Sequence, residues 1–416
     1  MSAKIVDDVF SEEVFGTPSA QKFGFSSDHY SLDCAPIDLA LGGKGIAAGR
    51  IYQFYGEYSA GKTTTALDLA FAFCNYWIKK GEANLKIHWV ETESAFDITR
   101  AAFMRPDLLP YLDINPCETI EQAQRSIQKA CDEAKISGQK LIIVWDTPGA
   151  AKTDAQAETG NKFADGQQSE ARALAWFFRC LVPLFSEINA TVLLPNQCYQ
   201  KSDKYGNLKM VAKGGESIKF FSSCIVELKK RKKVYEELPD GSERSIGQMV
   251  EGFTEKNKVV SPHIKFNFVI NNENGIDIFE TIYQYLLDRK IFKLAGSWKS
   301  IAVPEKIWNK EDKGEPALKD IKWQSVNQLK SNMELMPHVF DWFNYLIYLD
   351  YASNSSLLKY QIITIIHKYE RKFFGKEITK LTERELASAK ALEEFLKKQQ
   401  LKEEDQYKSK KKANKK

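Results

Sequence analysis

The chain has 416 residues, 43% hydrophobic and 27% charged, with a formal net charge of +4. That length exceeds one small domain, and the mild charge excess does not by itself mark a nucleic-acid binder. Seven cysteines stand singly with no Cys-x-x-Cys pair and five histidines stand isolated, which argues against a disulfide framework, a zinc ribbon or a histidine metal site and for a reducing compartment.

Residues 1–30 are polar, acidic at Asp7, Asp8, Glu12 and Glu13, and without an apolar stretch; they read as an N-terminal arm and not a signal peptide. From residue 51 onward, apolar runs at 51–55, 87–90, 141–145, 191–194, 224–228 and 264–270 alternate with helical stretches at 63–80, 120–137 and 169–188. Strands separated by helices predict parallel βαβ units. The later strands follow one another closely, which predicts an antiparallel extension at one edge. Residues 31–290 are thus expected to form an α/β core, a mostly parallel central sheet flanked by helices. Residues 291–401 read as a smaller region, mixed and irregular at 288–320 and helical from Trp323, with an aromatic piece (Phe340, Trp342, Phe343, Tyr345, Tyr348) and a charged piece at 381–400. Residues 402–416 are a basic tail of disordered composition, with six lysines in the last nine positions. No apolar run approaches the roughly 20 residues that span a bilayer. The expectation is a soluble, cytoplasmic protein with no membrane partner.

Gly56-Glu57-Tyr58-Ser59-Ala60-Gly61-Lys62-Thr63 fits G-x-x-x-x-G-K-[ST], with a buried strand before it and a helix, opening at Thr64, after it. The glycines let the backbone curl with its N–H groups inward, where they and the helix N-terminus hold phosphates. Lys62 is expected to bridge the β- and γ-phosphates and the Thr63 hydroxyl to hold Mg²⁺. The bland alternative is a glycine turn capping an ordinary helix. The strand 140–146 ends in Asp146, the pattern of a carboxylate that holds the magnesium shell. Asp146-Thr-Pro-Gly149 also fits D-x-x-G of GTPases, and Asn309-Lys310-Glu311-Asp312 fits their N-K-x-D. The second match follows a charged stretch and not a buried strand, so ATP is favoured over GTP.

The strand 87–90 runs into Glu91-Thr-Glu93-Ser-Ala-Phe-Asp97. A carboxylate there can polarise the water that attacks a γ-phosphate; the bland reading is a pair of solvated loop acids. Together with residues 31–42 and 45–52, Asn196-Gln197, Lys213-Gly214-Gly215-Glu-Ser-Ile-Lys219-Phe220 and Glu255-Lys256-Asn257-Lys258, this segment resembles the RecA family of recombinases over about residues 31–300. The resemblance implies an ATPase core that makes helical filaments on single-stranded DNA and exchanges strands with a homologous duplex. It makes Glu93 the catalytic glutamate in preference to Glu91, and Gln197 the γ-phosphate sensor. It sends Lys256 and Lys258 to the nucleotide of a neighbouring subunit. Asp97 and Arg100 fall at the nucleotide site, Arg100 where the family has an adenine-stacking aromatic. Large C-terminal and brief N-terminal segments look more like the phage recombinases of the UvsX type, which would put the protein in a bacterial or phage-infected cell with single-strand-binding and loader proteins as candidate partners.

Two polar, glycine-bearing segments, 151–168 and 198–213, are expected to be loops beyond the carboxyl ends of the strands, where ligands bind. The second mixes Lys201, Lys204, Lys209 and Lys213 with Tyr199, Tyr205 and Met210, a composition suited to single-stranded DNA. The resemblance adds Arg172, Arg179, Gly214 and Gly215 to the DNA channel. Two rivals share the same core: a ring-forming helicase and a partner-binding regulatory ATPase.

Overall fold

The computed structural model describes residues 28–159, 166–202, 206, 208–237, 242–304, 318–326, 328–330, 338–354, 359–374 and 379. Most of the N-terminal arm, Lys204, Asn309–Asp312 by position, the charged piece 381–400 and the basic tail lie outside them. The chain divides into two compact units, His29–Thr281 and the chain from Ile282 onward with the N-terminal residues.

In the first unit, β1 (His29–Tyr30) pairs with β2 (Ile46–Ala47), with helix α1 (Ala35–Gly42) between them in the chain. Then come β3 (Ile51–Gly56), α2 (Lys62–Lys79), β4 (Leu85–Glu91), α3 (Ile98–Met104), β5 (Leu112–Pro116), α4 (Ile120–Ser137), β6 (Lys140–Asp146), α5 (Asp154–Thr159), α6 (Gly166–Glu187) and β7 (Thr191–Asn196). The hairpin β8 (Cys198–Ser202) and β9 (Leu208–Ala212), helix α7 (Gly215–Phe221) and strands β10 (Cys224–Glu237), β11 (Glu243–Asn257), β12 (Lys265–Asn271) and β13 (Gly275–Asp277) complete it. Nine strands form one sheet in the order β13-β12-β11-β10-β3-β7-β6-β4-β5. From β10 to β5 every pairing is parallel; β10 to β13 add the antiparallel edge. β3, β6 and β7 are buried almost throughout, as strands covered on both faces must be. Helix α4 shows how the covering layer forms. Thr119 caps its first turn by accepting the Gln122 N–H at 3.1 Å, Gly138 ends it in the left-handed region, and Ile120, Ala123, Ile127, Ala130 and Ala134 make its buried stripe. With α6 it covers Leu141, Ile143 and Trp145 of β6, whose indole lies 4.8 Å from the Phe177 ring.

Two expectations about loops are corrected. Residues 198–213 contain the antiparallel strands β8 and β9, with Tyr199 opposite Val211 and Lys201 opposite Lys209. Within 151–168, the good helix formers Ala155, Gln156, Ala157 and Glu158 carry the short helix α5, and α6 starts at Gly166.

In the second unit, the stretch expected to be irregular holds a three-stranded antiparallel sheet of β14 (Lys293–Ala295), β15 (Trp298–Pro304) and β16 (Leu318–Trp323). Its strands are short, and exposed residues such as Lys293, Trp298, Asp320 and Lys322 interrupt them, which hides them from a search for apolar runs. Helix α8 (Ile278–Asp288) precedes β14 in the chain, and helix α9 (Val339–Asn354) carries the aromatic piece. The Trp342 indole donates to the Ala302 carbonyl at 3.0 Å and stacks edge-on to Phe373 of α10 (Lys359–Phe374). Arg289 grips Asp350 through two hydrogen bonds of 2.8 and 3.0 Å. No helix among the described residues is long and apolar enough to cross a membrane.

Candidate nucleotide site

The cleft lies at the carboxyl ends of the parallel strands and encloses about 810 Å³. Its floor is the loop between β3 and α2, where glycine is needed for space. A Cβ on Gly56 would stand 2.0 Å from the Leu228 carbonyl oxygen. Gly61 has φ 82°, and a Cβ there would meet Ile270 Cδ1 at 2.0 Å. Gly56, Glu57, Tyr58, Ser59, Gly61, Lys62, Thr63 and Thr64 all line the cleft, whereas Ala60 is buried beneath it. The Lys62 ammonium donates to the carbonyls of Gly56 (3.2 Å) and Glu57 (2.9 Å), so it is folded back over its own loop. Burial holds its pKa below the ordinary lysine value.

Thr63 Oγ1 donates a 2.7 Å hydrogen bond to Asp146 Oδ2. Burial pushes the Asp146 carboxyl up to about 7; the Thr63 bond opposes this, and the nearby Glu91 and Glu93 carboxylates add to it. A hydroxyl and a carboxylate in contact beside a phosphate loop form the donor set that a water-coordinated Mg²⁺ uses.

Glu91 and Glu93 differ sharply in what they touch. Glu91 is buried; its carboxylate accepts the backbone N–H groups of Glu93 (3.0 Å) and Ala95 (3.2 Å) and the Trp89 indole N–H (3.2 Å). Glu93 lines the cleft, and its Oε1 accepts from Gln197 Nε2 at 2.7 Å. Gln197 Oε1 in turn accepts from Lys213 Nζ at 2.7 Å. Arg100 also lines the cleft, on helix α3. Asp97 does not: it caps α3, accepting the N–H groups of Thr99 (2.9 Å) and Arg100 (3.3 Å).

Five further lining residues escaped the sequence reading: Cys198, Met210, Gln248, Ile270 and Asn272. Gln248 donates to the Ser59 carbonyl at 2.7 Å. Cys198 and Met210 sit in the segment singled out for DNA; Gln248 on β11, Ile270 on β12 and Asn272 just after it arrive by long-range strand pairing, which leaves no local signal.

Lys256 and Lys258 are not brought into this cleft. Lys256 lies opposite Ile225 near the start of β10, toward the amino-terminal edge of the sheet. Its ammonium donates to the carbonyls of Lys219 (2.5 Å) and Phe220 (3.1 Å), and burial together with the Lys258 charge lowers its pKa.

Of the residues expected at DNA, Arg172 and Arg179 are exposed on α6, and Tyr199 and Lys201 are exposed on β8. Lys209 lies on β9, and Gly214 and Gly215, both left-handed, open α7. Lys213 is half-buried and bound to Gln197, so the structure joins it to the nucleotide side of that loop.

A phosphate loop between a central parallel strand and its helix, with a carboxylate, a glutamate and a glutamine at the tips of neighbouring strands, defines a P-loop α/β protein. Residues 9–277 match the RecA N-terminal domain family, and the chain belongs to the RecA family of recombinases. It is 28% identical over 294 residues to Protein RecA of Rhodopirellula baltica, covering 69% of this chain and 73% of that protein. Protein RecA of Ruminococcus albus is 28% identical over 300 residues, 70% of each chain. Protein RecA of Francisella tularensis subsp. novicida is 29% identical over 315 residues, 74% of this chain and 82% of the relative. The GTPase alternative finds no support, since Asn309 to Asp312 lie beyond the matched span.

Proposed function

We propose that the chain is an ATP-dependent DNA recombinase that assembles as a filament on single-stranded DNA, pairs it with a homologous duplex and exchanges strands. The observation that carries this reading is the chain of hydrogen bonds from Glu93 through Gln197 to Lys213, which joins a phosphate cleft to the segment 198–213.

The backbone N–H groups of residues 57–63 and the Lys62 ammonium bind the triphosphate. Thr63 and Asp146 hold Mg²⁺, which supplies charge neutralisation at the phosphates. Glu93 orients and polarises the attacking water, while Glu91 fixes the backbone that carries it. Arg100 forms the wall at the base end. Gln197 exchanges its bond to Glu93 for one to the γ-phosphate and so moves the segment that ends at Lys213. Arg172, Arg179, Tyr199, Lys201, Lys204, Lys209, Gly214 and Gly215 bind DNA, mostly through phosphates, so sequence is read by base pairing and not by protein.

Lys256 and Lys258 serve the cleft of the next protomer, where two cations neutralise charge developing at the γ-phosphate. A cation at the edge opposite the phosphate loop has no route to the cleft of its own chain but is presented to a neighbour stacked on that edge.

The test is ATP hydrolysis with and without single-stranded DNA for the parent chain, Lys62→Ala and a double Lys256→Ala/Lys258→Ala variant. Stimulation by DNA, lost in each variant and partly restored by mixing them, is the expected result. No stimulation by any DNA would leave a partner-binding ATPase in its place. Negative-stain images with DNA and a slowly hydrolysed ATP analogue separate an open filament from a closed helicase ring.

A further inference from the structure

Helix α6 carries Arg172, Trp176 and Arg179, all exposed, with Trp176 leaving 63% of its surface open. At about 100° per residue, the three fall within an arc of roughly 60°. Leu174, Phe177, Phe178 and Leu181 are buried on the opposite side. The two arginines are the only charged residues between Glu170 and Glu187. Neither has an ion-pair partner among the described residues.

A solitary exposed apolar side chain is ordinary on a protein surface. This indole differs because a guanidinium with no ion-pair partner among the described residues flanks it one helical turn away on each side. The rise of about 1.5 Å per residue puts the arginines about 10 Å apart along the axis, with the indole between them. That matches roughly three nucleotides of a strand at about 3.4 Å each. The start of α7, which follows the β8–β9 segment, packs beside the same helix: a Cβ on Gly215 would lie 3.4 Å from Ala171 Cβ, and one on Gly214 would lie 3.1 Å from Leu174 Cδ1.

We propose that Trp176 is a base-stacking contact for single-stranded DNA, with Arg172 and Arg179 holding the phosphates on either side. Cations that track the backbone around an aromatic that accepts any base face make a sequence-tolerant single-strand site. The inference rests on the DNA-binding reading above and adds to it the residue that grips the bases. Arginines alone would hold the backbone whether or not bases were present; an indole contributes only where there is a base to stack on.

The test uses the full chain with Mg²⁺ and a slowly hydrolysed ATP analogue. Affinity is measured for oligo(dT) and for an abasic oligomer of the same length and charge, with the parent chain, W176A, W176F and a double R172A/R179A variant. W176A is expected to bind oligo(dT) about ten-fold more weakly, with binding to the abasic oligomer unchanged. W176F should recover most of the loss. R172A/R179A should weaken both ligands alike. Undiminished oligo(dT) binding by W176A, or equal loss on both oligomers, would overturn the proposal and leave the recombinase reading standing. Loss of self-association by W176A in sedimentation without DNA would overturn it in favour of a protomer contact. A parent chain that binds neither oligomer would overturn both readings together.

Discussion

Gln197 Nε2 donates a 2.7 Å hydrogen bond to Glu93 Oε1, joining the tips of two strands that are separated in the sheet by β6. The bond gives the glutamate a fixed direction into the cleft, and it makes the glutamine the first group to move when another acceptor competes for its amide.

Replacing Glu93 with Gln is expected to lower kcat for ATP hydrolysis by about 10²-fold or more while nucleotide affinity stays near the parent value. Glu91→Gln keeps an acceptor for the Glu93 and Ala95 N–H groups and is expected to retain most activity. Steady-state kinetics on the two variants decide between them. Equal losses would mean that the cleft-facing carboxylate has no privileged role.

Lys213→Met removes the donor that holds Gln197 Oε1. A hydrogen bond to a charged group is worth about 1.5–3 kcal/mol, so stimulation of hydrolysis by DNA is expected to fall by a factor on the order of ten, with KM for ATP little changed. Lys213→Arg, which keeps a donor, should recover part of it. A loss in DNA affinity with stimulation intact at saturating DNA would instead make Lys213 a plain phosphate contact.

Asp68 on α2 is half-buried, and loss of solvent around it pushes its carboxyl up to about 7, although it accepts the Ile276 N–H at 2.7 Å. The folded chain therefore binds this proton more tightly than the unfolded chain does. Stability from this group is greatest below the unfolded value near 4 and declines as pH rises through about 7. Asp68→Asn keeps an acceptor and loses the titration. Its Tm should exceed the parent's at pH 8 and converge with it near pH 4. A constant difference across that range would show that burial of the charge is not the cause.

Gly56→Ala places a methyl group against the Leu228 carbonyl at a distance no relaxation of one side chain relieves. The expected loss is about 2 kcal/mol or more, read from the urea midpoint with the slope unchanged. A variant of parental stability would mean that β3 and β10 can part at no cost.

The phosphate loop was readable from sequence because its residues are contiguous and the chemistry leaves few alternatives at each. The strands β3, β4, β6, β7 and the beginning of β10 were readable because burial on both faces makes each an unbroken apolar run. Burial also hides what it does not dictate. β5 is half-exposed with a proline at its end, β8 is polar, and Lys209 breaks the short apolar stretch of β9, so none has the unbroken run that marks a strand. Gln248, Ile270 and Asn272 reach the cleft only because β10, β11 and β12 pair in order beyond β3. The different work of Glu91 and Glu93, two positions apart, runs against strand alternation, which would set both on one face: β4 ends at the buried Glu91, and the chain leaves the sheet before Glu93. Lys213 looked like one lysine among four, and only its position after β9 sets it against Gln197.

The phosphate loop and the pair Lys256 and Lys258 lie toward opposite edges of one sheet. On the proposed assembly, each protomer carries a half-site at either end, so a row of n protomers holds n − 1 completed clefts. Turnover per protomer then climbs with row length toward a plateau, short rows are poor catalysts however much DNA is present, and the two ends of a row are chemically unlike. One end offers an uncovered phosphate loop and the other a bare pair of lysines. Growth and loss therefore have a built-in direction before any difference in DNA polarity enters.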